Sequence, residues 1–474
     1  MILSAAISGL AARPVRVEAT ERPAAEPISI AGLGEAAARE ARVRVQAALA
    51  STGESSPQGV VIRCEGASST SATALDLAIA LAAAVPRPSR RIAAFADLSL
   101  AGELRPVRGV LVAVEALRGL ADAIIVAPDN ASEAALIEGA PVVVARTLAD
   151  ALRFARGDDC ACTRVDQPPR LAPPTASRNC DLSDVRGLPV ARRALEVAAA
   201  GGHNLLLVGP PGAGKTMLAR RLPGLLPRLT YPEALEVTRV HSVAGLNVGG
   251  GLVSSRPFRA PHHSTTPPGI VGGGAPTARP GELSLAHHGV LFLDELPEFS
   301  RSALESLVDP LATGEVTLAR ASGTVRYPAS ALVVASMLAC PCGHAPSRRC
   351  RCSAADRARY ASRVPPALLD LFDLRVTLEP SMLGEPQDAR EPERSAAVAA
   401  RVLAARTRAA KEPPPADLLD QSARTTLAPL NGQTARRALR VAKTLMVLDG
   451  ETAIAHAHLD EALALTGGHG QGSS

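Results

Sequence analysis

Leu205-Leu206-Leu207-Val208-Gly209-Pro210-Pro211-Gly212-Ala213-Gly214-Lys215-Thr216 decides the fold. Four apolar residues read as a short buried strand, and residues 217–222 read as a helix. The stretch between them is a complete G-x-x-x-x-G-K-T phosphate loop in the strand-to-helix context that this motif requires. Its glycines let successive backbone N–H groups turn inward as an anion nest, and the helix start adds its dipole. Lys215 is placed to reach β- and γ-phosphates, and the Thr216 hydroxyl to meet Mg²⁺. A bare glycine-rich turn would not require strand, glycines, lysine and helix in this order.

Downstream, Val290-Leu-Phe-Leu-Asp294-Glu295 is an apolar strand ending in adjacent carboxylates. In isolation such a run is as often structural as functional. Paired with the loop, it places Asp294 at the Mg²⁺ position and Glu295 where a base can orient an attacking water. The two together specify an ATPase-type site, with ATP and Mg²⁺ as cofactors.

The rest of the chain sets the frame. Its 474 residues are 47% hydrophobic and 20% charged, which is enough for two or three domains with real cores. Aromatic residues make up only 2% and Trp is absent, which argues against extended base-stacking platforms. Net charge is +5, and with 17 Arg against 18 acidic residues in 1–165, the basic surplus lies beyond that point. No apolar run reaches the length of a bilayer span, no signal-peptide layout opens the chain, and eight Cys do not make a disulfide scaffold. The expectation is a cytoplasmic protein with no membrane partner.

Residues 1–165 alternate strand-like runs (15–18, 59–63, 124–127, 142–145) with Ala-rich helices (35–50, 73–85), giving one α/β or α+β domain. Residues 166–180 hold a proline-rich linker. An α/β core spans 181–380, with strands at 204–208, 290–293 and 331–335 and surface loops over the Gly/Pro/His-rich stretch 248–281. Residues 381–474 read as a helical cap.

Arg256-Pro-Phe-Arg-Ala-Pro-His-His263, Arg279-Pro-Gly-Glu-Leu-Ser-Leu-Ala-His287 and Gly289-Val-Leu-Phe-Leu-Asp-Glu-Leu-Pro-Glu-Phe299 resemble the magnesium-chelatase-like AAA+ ATPases, in particular the YifB/ComM group. The likeness covers nearly the whole chain. It implies a Lon-protease-like (ribosomal S5 domain 2-like) N-terminal domain, a P-loop AAA+ core and a C-terminal helical lid. It also implies a hexameric ATPase ring acting on single-stranded or branched DNA, with branch migration during natural transformation as the best-known role. A Lon-type peptidase needs a Ser–Lys dyad, and residues 1–214 contain no lysine. The N-terminal domain is therefore structural or a binding module.

Three further features carry expectations. Cys340-Pro-Cys342 and Cys350-Arg-Cys352 form two C-x-C pairs able to wrap one Zn²⁺, with His344 as an optional ligand; the alternative is a reduced thiol cluster. Residues 317–327 read as a β-hairpin whose Arg320 and Arg326 contact DNA phosphates or remain solvated. The pairs His262-His263 and His287-His288 are expected to alternate across a strand and so not to chelate.

The sequence also departs from the family. Leu338 stands where the family carries the Asn that senses the γ-phosphate. Leu371 replaces the arginine finger, and Gln433 replaces the second-sensor Arg. Each change removes a group aimed at the transferred phosphoryl, so binding is expected to persist while hydrolysis is impaired. Arg375 and Arg437 are the nearest substitutes. Two alternatives remain: an ATP-binding scaffold subunit with little catalysis, and a magnesium-chelatase-type metal-insertion subunit.

Overall fold

The computed structural model describes residues 1–21, 28–54, 59–67, 72–165, 180–246, 250–274, 277–320, 323–345, 347–378, 392–428 and 430–467. Most of the expected linker, the hairpin tip 321–322 and the tail after 467 lie outside these residues. Among the described residues, no helix is long and apolar enough to cross a membrane.

The N-terminal part is a mixed eight-stranded sheet. Its centre pairs Ile2–Ser8 antiparallel with Ala11–Glu21 and parallel with Ile92–Phe95. Helices Glu35–Ser51 and Asp76–Ala84 cover one face, and Val110–Leu117 covers the other. The second face also receives Leu229, Ala234 and Val237, so helix Tyr231–Ala244 of the core completes it. The Gly109 N–H donates to the Ser242 carbonyl at 3.0 Å across this contact.

The core is a five-stranded, all-parallel sheet in the order Phe258–Arg259, Val290–Leu293, Leu332–Met337, Leu205–Val208, Leu374–Thr377. Alternation sends Leu205 and Leu207 to one face and Leu206 to the other. The first face shares its core with Val402, Val441, Leu445 and Leu463 of the C-terminal helices, which span Ser395–Ala409, Gln421–Leu427, Gly432–Asp449 and His456–Thr466.

Residues 248–281 are not merely surface loops. They supply the edge strand Phe258–Arg259, helix Pro267–Val271 with Ile270 buried, and a two-residue ladder joining Gly272–Gly273 to Arg279–Pro280. The expected hairpin is present as Glu315–Arg320 paired with Gly323–Pro328. It is docked, because a Cβ on Gly9, at φ +63°, would lie 2.7 Å from Val325 Cγ1.

Candidate nucleotide site and its surroundings

Parallel register builds the site. Val208 pairs with Met337 and Leu293 with Ala335, so the phosphate loop, Asp294 and Ser336 all emerge at the C-terminal edge of neighbouring strands. Gly212 and Gly214 have left-handed φ of +75° and +83°, which a side chain would strain, and a Cβ at Gly209 would lie 2.9 Å from Leu378 Cβ. Helix Lys215–Arg221 follows at once. Lys215 Nζ donates to the carbonyls of Gly209 (2.9 Å) and Pro210 (2.8 Å), folding its charge back over the loop. Burial pulls its pKa below the ordinary lysine value against the opposing pull of Asp294 and Glu295.

Thr216 Oγ1 donates to Asp294 Oδ2 at 2.9 Å, joining the two halves recognised in the sequence. These two oxygens form the hard-oxygen pair that Mg²⁺ favours. Ser336 was not foreseen. Its hydroxyl donates to Asp294 Oδ1 and accepts from the Glu295 N–H at 3.1 Å, fixing both carboxylate-bearing residues. Glu295 sits at φ +54°, one of three non-glycine residues with positive φ among the described residues, and its side chain is 61% exposed with His263 Nδ1 3.8 Å away. A non-glycine residue held in that region marks a site over-determined by its surroundings.

The four cysteines converge. Cys340 Sγ lies 3.4 Å from Cys342 Sγ and 3.6 Å from Cys350 Sγ, Cys342 and Cys350 are 3.7 Å apart, and all four sulfurs, Cys352 included, lie within 4.8 Å of one another. A tetrahedron of Zn–S bonds near 2.3 Å has S···S edges of about 3.8 Å. This cluster could hold Zn²⁺. A hydrogen bond from the His344 backbone is the first of several that pull the Cys342 thiol down to about 6, toward the thiolate. The knuckle also touches the nucleotide loop, since a Cβ on Gly343 would lie 2.9 Å from Pro211 Cδ.

Leu371 belongs to the opposite edge of the sheet. Its carbonyl accepts from Asn204 Nδ2 at 3.0 Å, just before the strand whose far end carries the phosphate loop. The two candidate substitutes are already engaged beside it. Arg375 Nη2 donates to the Leu369 carbonyl at 2.7 Å, and Arg437 Nη2 lies 3.5 Å from Asp370 Oδ1. Burial lowers the Arg375 pKa, Arg437 lowers it further, and its Nε has no partner among the described residues. Leu338 is half-buried beside Gly343, and Gln433 is exposed one residue into helix Gly432–Asp449.

The histidine pairs differ from expectation. His287 and His288 follow the short helix Glu282–Leu285 rather than lying in a strand, and His288 takes φ +55°. Both rings therefore face one carboxylate: Glu236 Oε2 is 3.1 Å from His287 Nε2 and 2.8 Å from His288 Nε2. The Ser330 N–H donates to His287 Nδ1 at 3.2 Å, which fixes the proton on Nε2. That tautomer donates to Glu236 and leaves Nε2 no lone pair for a metal, so the trio is a hydrogen-bond cluster. His262 and His263 lie with ring centroids 4.0 Å apart and planes tilted by 36°, with His263 turned to Glu295.

Arg326 is paired with Glu315 at 3.3 Å. Arg320 has no ion pair among the described residues and lines a cavity against the N-terminal domain.

Comparison with known proteins supplies the family. The family described as "Magnesium chelatase, subunit ChlI" matches residues 181–385, and "Subunit ChlI of Mg-chelatase" matches residues 15–130. An uncharacterized protein of Mycobacterium tuberculosis is 43% identical over 418 residues, covering 86% of this chain and 82% of that one. The uncharacterized YifB of Escherichia coli is 36% identical over 96% of this chain and 94% of its own length. Competence protein ComM of Haemophilus influenzae is 40% identical over 78% and 76%. With a ChlI-type N-terminal domain, a parallel-sheet AAA-type core and C-terminal helices, the chain belongs to the magnesium-chelatase-like YifB/ComM family.

Proposed function

We propose that the chain is a cytoplasmic, ring-forming ATPase of the YifB/ComM type that acts on DNA, as a homo-hexamer remodelling single-stranded or branched substrates. The observation that carries the nucleotide half is the 2.9 Å contact between Thr216 and Asp294, beneath a loop whose glycines are committed to positive φ. ATP is the substrate: the loop amides and Lys215 bind its phosphates, Thr216 and Asp294 hold Mg²⁺, and Glu295, steadied through Ser336, orients the attacking water. Mg²⁺ supplies charge neutralisation on the phosphate oxygens. Zn²⁺ in the four-cysteine knuckle supplies a fold constraint beside the loop.

The DNA half rests on the relative named a competence protein and on Arg320 of the hairpin, which has no ion pair among the described residues and lines a cavity. We read residues 1–165 as a Lon-like binding module without a peptidase dyad, 181–380 as the ATPase core and 381–474 as the lid. A second reading, an ATP-binding scaffold with little catalysis, is favoured by the apolar side chains of Leu338 and Leu371. Phosphate release measured with no DNA, single-stranded DNA and branched DNA separates them. DNA-stimulated turnover supports the first reading, and nucleotide binding without turnover supports the second.

A further inference from the structure

A cavity of about 360 Å³ lies between the N-terminal sheet and the core hairpin. It is built from distant segments: the Ser8-Gly9 turn, Thr73, Phe95 and Asp97, the Pro106–Arg108 run, Thr277 and Arg279, and Arg320. Three arginines reach it from three elements, and none has an ion-pair partner among the described residues. One carboxylate, Asp97, shares the lining, and its Oδ1 accepts from the Leu98 N–H at 2.8 Å.

The backbone segments that carry the arginines are held in place, while the Arg108 and Arg279 side chains are exposed. Gly245, at φ +80°, is packed against the Arg108 stem so closely that a Cβ there would lie 2.6 Å from Arg108 Cδ. The neighbouring Gly109 N–H is tied to the Ser242 carbonyl. Arg279 is fixed through the Gly273 ladder, and the hairpin carrying Arg320 through Gly9 and Val325. Burial lowers the Arg108 pKa and Arg279 lowers it further, so the cleft gathers positive charge that repels itself. A folded protein keeps such repulsion where an anion relieves it, and arginine forks suit phosphate. The volume is that of a ligand pocket.

We propose that Arg108, Arg279 and Arg320 form a phosphate-ester site in the cleft between the two domains, and that its occupant is the backbone of single-stranded DNA. This rests on the DNA reading above and extends it from the hairpin to the N-terminal domain, giving a domain without peptidase residues a binding task.

The test uses the full-length protein, with a fluorescent oligothymidylate read by anisotropy and inorganic pyrophosphate read by calorimetry. Arg108→Met keeps the stem against Gly245 and removes the charge; Arg279→Gln is the second variant. Expected is at least a fivefold loss of oligonucleotide affinity in each, with the salt slope of log K flattened by about one unit per lost phosphate contact. Unchanged ATP binding shows that each variant is folded. If wild type binds the oligonucleotide and both variants match it in affinity and slope, the cleft proposal is overturned while the DNA reading stands. If wild type ignores the oligonucleotide but binds pyrophosphate in an Arg108- and Arg279-dependent way, the phosphate site is upheld with a small phosphorylated ligand as its source, and the DNA reading falls. Binding of neither overturns both.

Discussion

Replacing Leu371 with Arg is the most informative single perturbation. Four strand residues separate the Leu371 edge from the phosphate loop, about 13 Å at ~3.3 Å per residue. A side chain at position 371 is therefore too far from the phosphate loop of its own chain, and in the proposed ring it would act on the nucleotide of an adjacent copy. A finger arginine is worth ~10³-fold or more in rate, and each missing oxyanion-type donor costs ~10²–10³. With Leu338 and Leu371 apolar and Gln433 uncharged, wild type is expected to bind Mg-ATP yet turn over far below the ~1 s⁻¹ of ordinary enzymes.

Both substitutes are held where they are. Arg437 is the more buried, its side chain 11% exposed against 32% for Arg375, and its Nη2 lies 3.5 Å from both the carboxylate and the carbonyl of Asp370. Arg375 gives up its hydrogen bond to the Leu369 carbonyl on leaving, a cost of about 0.5–1.5 kcal/mol. Neither arginine turns to a nucleotide without losing a contact. Phosphate release at saturating ATP, with and without branched DNA, should rise by at least tenfold in Leu371→Arg. DNA-stimulated turnover of ~1 s⁻¹ or faster in wild type, undiminished by either Arg375→Ala or Arg437→Ala, would refute the reasoning.

Other outcomes follow from the same geometry. Lys215→Ala should weaken Mg-ATP binding at least tenfold by calorimetry, since a charge-assisted contact worth ~1.5–3 kcal/mol is lost; equal affinity would contradict the loop assignment. Elemental analysis of anaerobically purified protein should find about one Zn per chain, absent from the Cys340→Ser, Cys342→Ser double variant, whose ATP affinity should also fall because Gly343 packs on Pro211. Burial holds His287 at about 4 against an ordinary 6.5. The unfolded chain takes up that proton first, so stability should fall as pH drops from 6.5 toward 4, by on the order of 2–3 kcal/mol. Denaturant titrations should show this slope shrinking in His287→Gln, and an unchanged slope would place the acid sensitivity elsewhere.

What the sequence made legible was local. The phosphate loop, the Asp294-Glu295 strand end and the two C-x-C pairs each write their chemistry into a few consecutive residues, and the structure brings loop and carboxylates into contact. Ser336 was illegible, because one hydroxyl in an apolar run has no motif and only parallel register sets it opposite Asp294. The edge strand Phe258–Arg259 is too short for any alternation to register amid its prolines and glycines. The strand alternation expected of His287 and His288 failed, because the two residues lie outside any strand and the positive φ of His288 turns both rings to one side. The arginine cleft draws on segments from residue 8 to residue 320, so no window of sequence contains it.

These pieces are joined by one stretch of backbone. The hairpin strand Gly323–Pro328, docked on Gly9, runs through residues 329–331 into the central strand Leu332–Met337. That strand presents Ser336 to Asp294 and Glu295, and its continuation enters the cysteine knuckle that packs on the phosphate loop. It is paired on both sides, with Val290–Leu293 and Leu205–Val208, so it shifts as a unit or not at all. Arg320 on the partner strand of the hairpin faces the interdomain cleft. An anion bound in that cleft, as proposed, would contact a rigid element whose other end positions the carboxylates and leans on the nucleotide loop. Any coupling between the two sites would need no long-range pathway of side chains, because a single strand, fixed by main-chain hydrogen bonds, already connects them.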